Sequence, residues 1–203
     1  MIKPGKKGKI SPHQVKAKKE IQSTTKLILN EIDSILSQVE QDSVDNLVEA
    51  ICNAKKIVTI GAGRVGLANK GFAMRLSHLG LNSYALGDMT VPSIRASGDV
   101  ALVASGSGET PSIALLAETA KKSGAKVVLI TANPQSRIGR MSDLTVCIPS
   151  PNKSSNGAMK SEQPMTTLNE QCLHIFFDAL VLLLMHRLDE TTESMWERHS
   201  NLE

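Results

Sequence analysis

Apolar residues return every three or four positions between residues 14 and 39, at Ile21, Leu27, Ile28, Ile32, Ile35, Leu36 and Val39. That spacing lines them along one side of a long amphipathic helix with a face to bury. Val44, Leu47, Val48, Ile51 and Cys52 carry the same period into a second, shorter helix. The pattern then changes: Ile57-Val58-Thr59-Ile60 is a β-branched run ending in Gly61-Ala62-Gly63, which predicts a buried strand entering a glycine turn. From there helices and strands alternate. Helices are expected over 67–79, stopped by Gly80, and over 113–122, stopped by Gly124; strands are expected over 82–86, 99–104, 126–131 and 144–148. Residues 149–164 are polar and rich in Pro, Ser and Asn, so they read as a long loop of the kind that often carries function. A last helix over 167–188 ends in a strongly apolar run from Phe176 to Met185, an area that self-association would cover economically.

Five strands separated by helical crossovers predict an α/β fold, a three-layer sandwich around a mostly parallel sheet with long helices at both ends of the chain. In such sheets ligands bind beyond the carboxyl ends of the strands, where strand order reverses. Two turns qualify. Ser105-Gly106-Ser107-Gly108-Glu109-Thr110 follows an apolar strand and opens a helix, so glycines that let the backbone approach an anion stand beside three hydroxyls and the free N–H groups of a helix start. No G-K-[ST] follows, which argues against a nucleoside triphosphate and for a phosphomonoester. Gly61-Ala62-Gly63-Arg64-Val65-Gly66 contains G-x-G, but no acid ends the next strand to hold a ribose, and the dinucleotide signal is weak. Arg64 is placed to meet an anionic group or to be an ordinary surface arginine.

Glu170 opens the last helix just after the polar loop, where a partly desolvated carboxylate suits general-base work; Thr167 and Glu170 also stand at capping-box spacing, and pattern alone favours the cap. His174 and His78 read as packed, interfacial or solvated residues, and His199 is unmarked by pattern.

With 203 residues the chain has room for one well-buried α/β domain and helical appendages. Its net charge of +3 comes from seven lysines in the first nineteen residues, after which sixteen bases face twenty acids. That distribution, with 2% aromatic residues, argues against nucleic-acid binding by the folded body and leaves residues 1–20 as a basic extension, disordered or loosely helical. Cys52, Cys147 and Cys172 are widely spaced among apolar neighbours, as buried free thiols in a reducing compartment would be. No secretory h-region stands near the N-terminus, and the apolar stretch 179–185 is too short to cross a bilayer; a cytoplasmic protein is expected.

Gly61-Ala62-Gly63-Arg64, Phe72-Ala73-Met74-Arg75-Leu76, Ser105 to Thr110, Gln163-Pro164-Met165 and the ending Arg198-His199-Ser200-Asn201-Leu202-Glu203 together resemble the 6-phospho-3-hexuloisomerases of the sugar isomerase (SIS) domain superfamily, from about Leu27 to the end. The resemblance implies a single SIS domain over 21–203, with a flavodoxin-like five-stranded parallel sheet. It also implies a homotetramer without metal or cofactor, whose active sites lie between subunits. The implied reaction interconverts D-arabino-3-hexulose 6-phosphate and fructose 6-phosphate in the ribulose monophosphate route. By position, Ser105, Ser107 and Thr110 would hold the phosphate, with Gly63 and Arg64 also binding substrate. Glu170 would be the base, and His199 from a neighbouring chain an acid or ring-opening group. Three positions depart from the family pattern: Val65 where many relatives carry serine, Thr166 near a usual glycine, and Asn169 in place of an aromatic residue. A related isomerase acting on arabinose 5-phosphate and a non-catalytic sugar-phosphate sensor remain alternatives, and a nucleic-acid module acting through the basic tail is a third.

Overall fold

The computed structural model describes residues 20–95, 98–151 and 160–202; most of the basic extension, the middle of the polar loop and Glu203 lie outside them. Two helices, α1 (Ile21–Leu36) and α2 (Gln41–Cys52), lead into β1 (Lys56–Ile60), α3 (Gly63–His78) and the short β2 (Ser83–Ala85). The chain continues through β3 (Asp99–Ala104), α4 (Pro111–Lys122), β4 (Lys126–Thr131), β5 (Leu144–Cys147), α5 (Thr167–Leu188) and α6 (Thr192–Glu197). All five strands are parallel, in the order β2-β1-β3-β4-β5. The chain moves outward from β1 to β2 and then returns to the other side of β1, so the reversal falls between β1 and β3. That is the crevice where a doubly wound sheet takes its ligand.

The sheet is buried on both faces, which is why its strands read as continuous apolar runs. On one face Ile57, Val100, Leu102, Val128, Ile130 and Val146 pack beneath α2, α3 and α5, and α1 lies against α5. On the other, Val58, Ile60, Ala101, Val103, Val127 and Leu129 meet Ile113, Ala114, Ala117 and Ala120 of α4. The three layers are therefore unequal, with the helices crowded on one side. Phe72 of α3 and Phe177 of α5 stack with ring centroids 4.2 Å apart, an arrangement that offers about 1 kcal/mol beyond simple burial.

The five strands, α4 and α5 lie within two residues of their forecast; α1 ends at Leu36 rather than Val39, α6 was not forecast, and two further differences bear on the site and on the apolar run. The helix expected from Leu67 begins at Gly63, because the glycine turn itself winds into the first helical turn with Gly63 at φ 57°. The apolar stretch expected to be too short for a membrane belongs to α5, whose 22 residues are long and apolar enough to span one. Half of its most apolar stretch is instead buried in the protein, against α1, α2 and α3.

Candidate active site

A cavity of about 360 Å³ opens at the carboxyl ends of β1 and β3, within the range of small-ligand sites. Gly63, Arg64, Ser105, Gly106, Ser107, Thr110, Thr166, Asn169 and Glu170 are among its lining residues. Six of the seven residues singled out from sequence thus share one cavity; His199 does not.

Three helices begin at this cavity. Their N-cap residues are Ala62 for α3, Thr110 for α4 and Thr166 for α5, and in none does a side chain cap the helix. By contrast, α6 on the other side of the domain carries a full capping box between Thr191 and Ser194. Backbone N–H groups at three converging helix starts are thereby available to an anion, and their dipoles add in the same direction.

The turn after β3 is fixed from within and from behind. Gly108, at φ 63°, donates its N–H to the Ser105 hydroxyl oxygen at 3.2 Å, and Glu109 N–H donates to the Ser107 hydroxyl at 3.2 Å. Each hydroxyl accepts a backbone proton and keeps its own to donate. Ala132 N–H and the Thr131 hydroxyl hold the Gly106 carbonyl at 3.1 and 3.3 Å, and Ile138 N–H holds the Gly108 carbonyl at 3.2 Å. Gly106 has to be glycine for a local reason: a Cβ there would stand 2.6 Å from Asn169 Oδ1. Asn169 is buried and donates to the Ser150 hydroxyl at 2.6 Å, so the residue that departs from the family pattern bridges the loop after β5 to the phosphate turn. Nothing in the sequence pattern marked that bridge.

Glu170 does not make the capping box that its spacing from Thr167 allows. The helix starts one residue earlier than that box requires, with Thr166 as N-cap, and the Thr167 hydroxyl instead donates to the Pro164 carbonyl at 2.7 Å. The Glu170 carboxylate, 12% exposed, turns toward the cavity. Thr166 donates its hydroxyl to Oε1 at 3.0 Å. Arg64 Nη1 stands 3.0 Å from Oε2, close enough for an ion pair, yet Oε2 is buried and has no hydrogen-bond donor aligned on it among the described residues. Arg64 itself is more than half exposed and can turn toward a ligand.

The loop that delivers Thr166 and Glu170 is anchored from α1. Glu31 accepts the Ser161 hydroxyl at 2.8 Å, the Glu162 N–H at 2.9 Å and the Gln163 amide at 2.9 Å. Met165 then turns the chain at φ 58°, a left-handed conformation unusual for a side chain of its size, with 93% of its surface exposed. His199 lies elsewhere, lining a separate cavity of about 230 Å³ with Arg75, His78 and Trp196. Its ring is 5.2 Å from that of His78, which is buried rather than solvated, and 5.0 Å from that of Trp196; His174 is exposed on α5.

A parallel sheet with this reversal, and a seryl-glycyl turn facing a helix-borne carboxylate across it, define a sugar-phosphate isomerase domain: residues 50–175 match the SIS domain model, and the chain belongs to that family. Within the family it is similar to enzymes named 3-hexulose-6-phosphate isomerase. The one from Bacillus subtilis (strain 168) is 42% identical over 87% of this chain and 95% of its own, and the one from Mycobacterium gastri is 38% identical over 91% and 92%. A crystal structure of a protein from Methanococcus jannaschii, described as inferring 3-hexulose-6-phosphate isomerase function, superposes with a TM-score of 0.77 at 30% identity. That match covers 89% of this chain and 99% of the other.

Proposed function

We propose that this protein interconverts D-arabino-3-hexulose 6-phosphate and fructose 6-phosphate. The observation that carries the reading is a single cavity holding both an anion cradle of three uncapped helix starts and a buried carboxylate oxygen with no aligned donor. Ser105, Ser107 and Thr110 grip the phosphate, which does not react and serves to position the rest of the sugar. Glu170 takes the proton from C2. The C–H electron pair becomes the C2=C3 double bond, and the C3 carbonyl oxygen takes up the negative charge. A proton passes from the C2 hydroxyl to the C3 oxygen, the C2 carbonyl forms, and Glu170 returns its proton to C3. Atoms balance, and no external reductant or oxidant enters.

The developing enediolate needs donors, because a C–H beside a ketone is a weak acid. Arg64 and the N–H groups at the Gly63 helix start are the groups of this chain on that side of the cavity. Among the described residues no histidine lines the cavity, and His199 lines another one, which accords with His199 reaching the site from a neighbouring subunit. The assembly is read as a homotetramer, with residues 21–203 as one SIS domain behind the extension at 1–20. Three free cysteines fit a reducing cytoplasmic setting, and the reaction fits formaldehyde assimilation or pentose supply through the ribulose monophosphate route.

The test is to incubate the purified protein with D-arabino-3-hexulose 6-phosphate and follow the carbon signals by NMR. Fructose 6-phosphate should appear without added metal or cofactor. Binding without turnover would point to a sensor, and turnover of arabinose 5-phosphate alone would point to the related isomerase; either result rejects the reading.

A further inference from the structure

We infer that Thr166 is a positioning residue for Glu170, and that its hydroxyl decides which carboxylate oxygen handles the proton. The inference rests on Glu170 being the base of the isomerisation proposed above and adds a division of labour between its two oxygens.

Thr166 occupies the N-cap of α5, the place where a threonine hydroxyl ordinarily accepts an N–H from the first helical turn. Here it does not; the hydroxyl donates to Glu170 Oε1 at 3.0 Å, reaching forward one turn along the helix. The stabilisation a cap would bring is given up at this end of the helix. What it obtains is a fixed carboxylate. With Oε1 engaged, rotation of the carboxylate about its last side-chain bond would break that hydrogen bond, so Oε2 stays beside the Arg64 guanidinium and meets a ligand once Arg64 swings away.

The two oxygens are thereby made unequal. Oε1 carries a hydroxyl donor; Oε2 is buried without an aligned donor among the described residues, beside the Arg64 guanidinium at 3.0 Å. An oxygen whose lone pairs are not already taken by a hydrogen-bond donor is the one able to approach a carbon-bound hydrogen. Among the described residues Arg64 is the only cation on the cavity lining, and its side chain is mostly exposed, so it can move to substrate oxygens without unlocking Oε1.

Transfer of one proton between adjacent carbons asks for this arrangement. The same oxygen has to reach C2 and then C3, about 1.5 Å further along the chain, without the carboxylate turning over in between. Thr166 is held for the task by its own surroundings. The preceding Met165 is locked in a left-handed turn, and the residues before it are bound to Glu31 by three hydrogen bonds.

The experiment compares the full-length wild type with Thr166→Val and Thr166→Ser, measuring kcat and KM for D-arabino-3-hexulose 6-phosphate and thermal melting by circular dichroism. Valine keeps the shape and removes the hydroxyl; serine restores the hydroxyl. Because the hydroxyl caps nothing, both variants should melt close to wild type. We expect Thr166→Val to lose about 10- to 100-fold in kcat with KM within about 2-fold, the size of effect that a misplaced catalytic group produces, and Thr166→Ser to recover most of the loss. Unchanged kcat in Thr166→Val overturns the inference while leaving the isomerase reading intact. So does a loss that serine fails to restore, or a loss that appears in KM instead. A wild-type chain with no isomerase activity overturns the underlying reading, and this inference with it.

Discussion

At the scale of single residues, the site is a set of polar groups that forgo their usual structural partners. Thr110 and Thr166 sit at N-caps without capping, and Glu170 stands at capping-box spacing without closing the box. The sequence pointed to Ser105, Ser107 and Thr110 through a glycine-rich turn between strand and helix, and the resemblance added Gly63 and Arg64; the fold brings all five to one cavity. Thr166 and Asn169 were not legible: their roles depend on where α5 starts and on contacts to Ser150 and Gly106, which no local pattern encodes. Cysteines behave in the opposite way: Cys172 is a plain core residue, while Cys52 and Cys147, expected to be buried, are half-buried. Burial pushes the Cys172 thiol up to about 11 and also raises Cys52 and Cys147. In the folded state Cys172 keeps its proton to higher pH than the ordinary thiol value of 9.0, so its contribution to stability is whole below about pH 9 and is lost as pH rises toward about 11. Urea denaturation at pH 8 and pH 10.5 should show the wild type losing more stability at the higher pH than Cys172→Ala does. Iodoacetamide at pH 8 should label Cys172 only after unfolding.

At the scale of elements, the periodicity of the apolar residues was enough to place the five strands and α1 to α5, because each must bury a face; α6, which buries none of its residues, had no such signal. A boundary shifted where glycine chemistry intervened, at Gly63, while α5 spans the forecast 167–188. Less visible was the use of α1. Its apolar side packs on α5 through Ile32 and Ile35, as the spacing predicted, while Glu31 from the same turn holds the strap Ser161–Gln163 in front of the site. A carboxylate 130 residues away in sequence gives no local sign of that contact. Glu31→Gln keeps the size but replaces one acceptor oxygen with a donor that opposes the Glu162 N–H or the Gln163 amide. Steady-state kinetics should show kcat/KM lowered by about 10-fold with melting shifted by only a few degrees, since the bonds lie at the surface. If activity is unaltered, the strap does not govern the site.

At the scale of the whole molecule, one surface is unfinished. Ile175, Ala179, Leu182 and Leu183 follow one another at helical spacing along α5 and face outward, Leu182 with 68% of its surface exposed. The apolar run in the sequence announced this excess but could not say which part of it the sheet would absorb. In the fold, α1, α2 and α3 cover one side of the helix and leave this stripe open. A second copy covering it would accord with the proposal that His199, which lines a different cavity of its own chain, serves a neighbouring site. Light scattering behind size exclusion should find the wild type as a tetramer and Leu182→Glu as a smaller species that remains folded but has lost most of its turnover. A monomeric, fully active wild type would remove both the interface and the shared histidine.

The central claim, that one carboxylate moves the proton while a separate seryl-threonyl cradle holds the phosphate, is tested most directly by Glu170→Gln assayed for fructose 6-phosphate binding by calorimetry and for turnover. Binding should stay within a few-fold of wild type while kcat falls at least about 100-fold, the range that loss of a general base produces. Turnover near the wild-type rate, or loss of binding together with turnover, would contradict it.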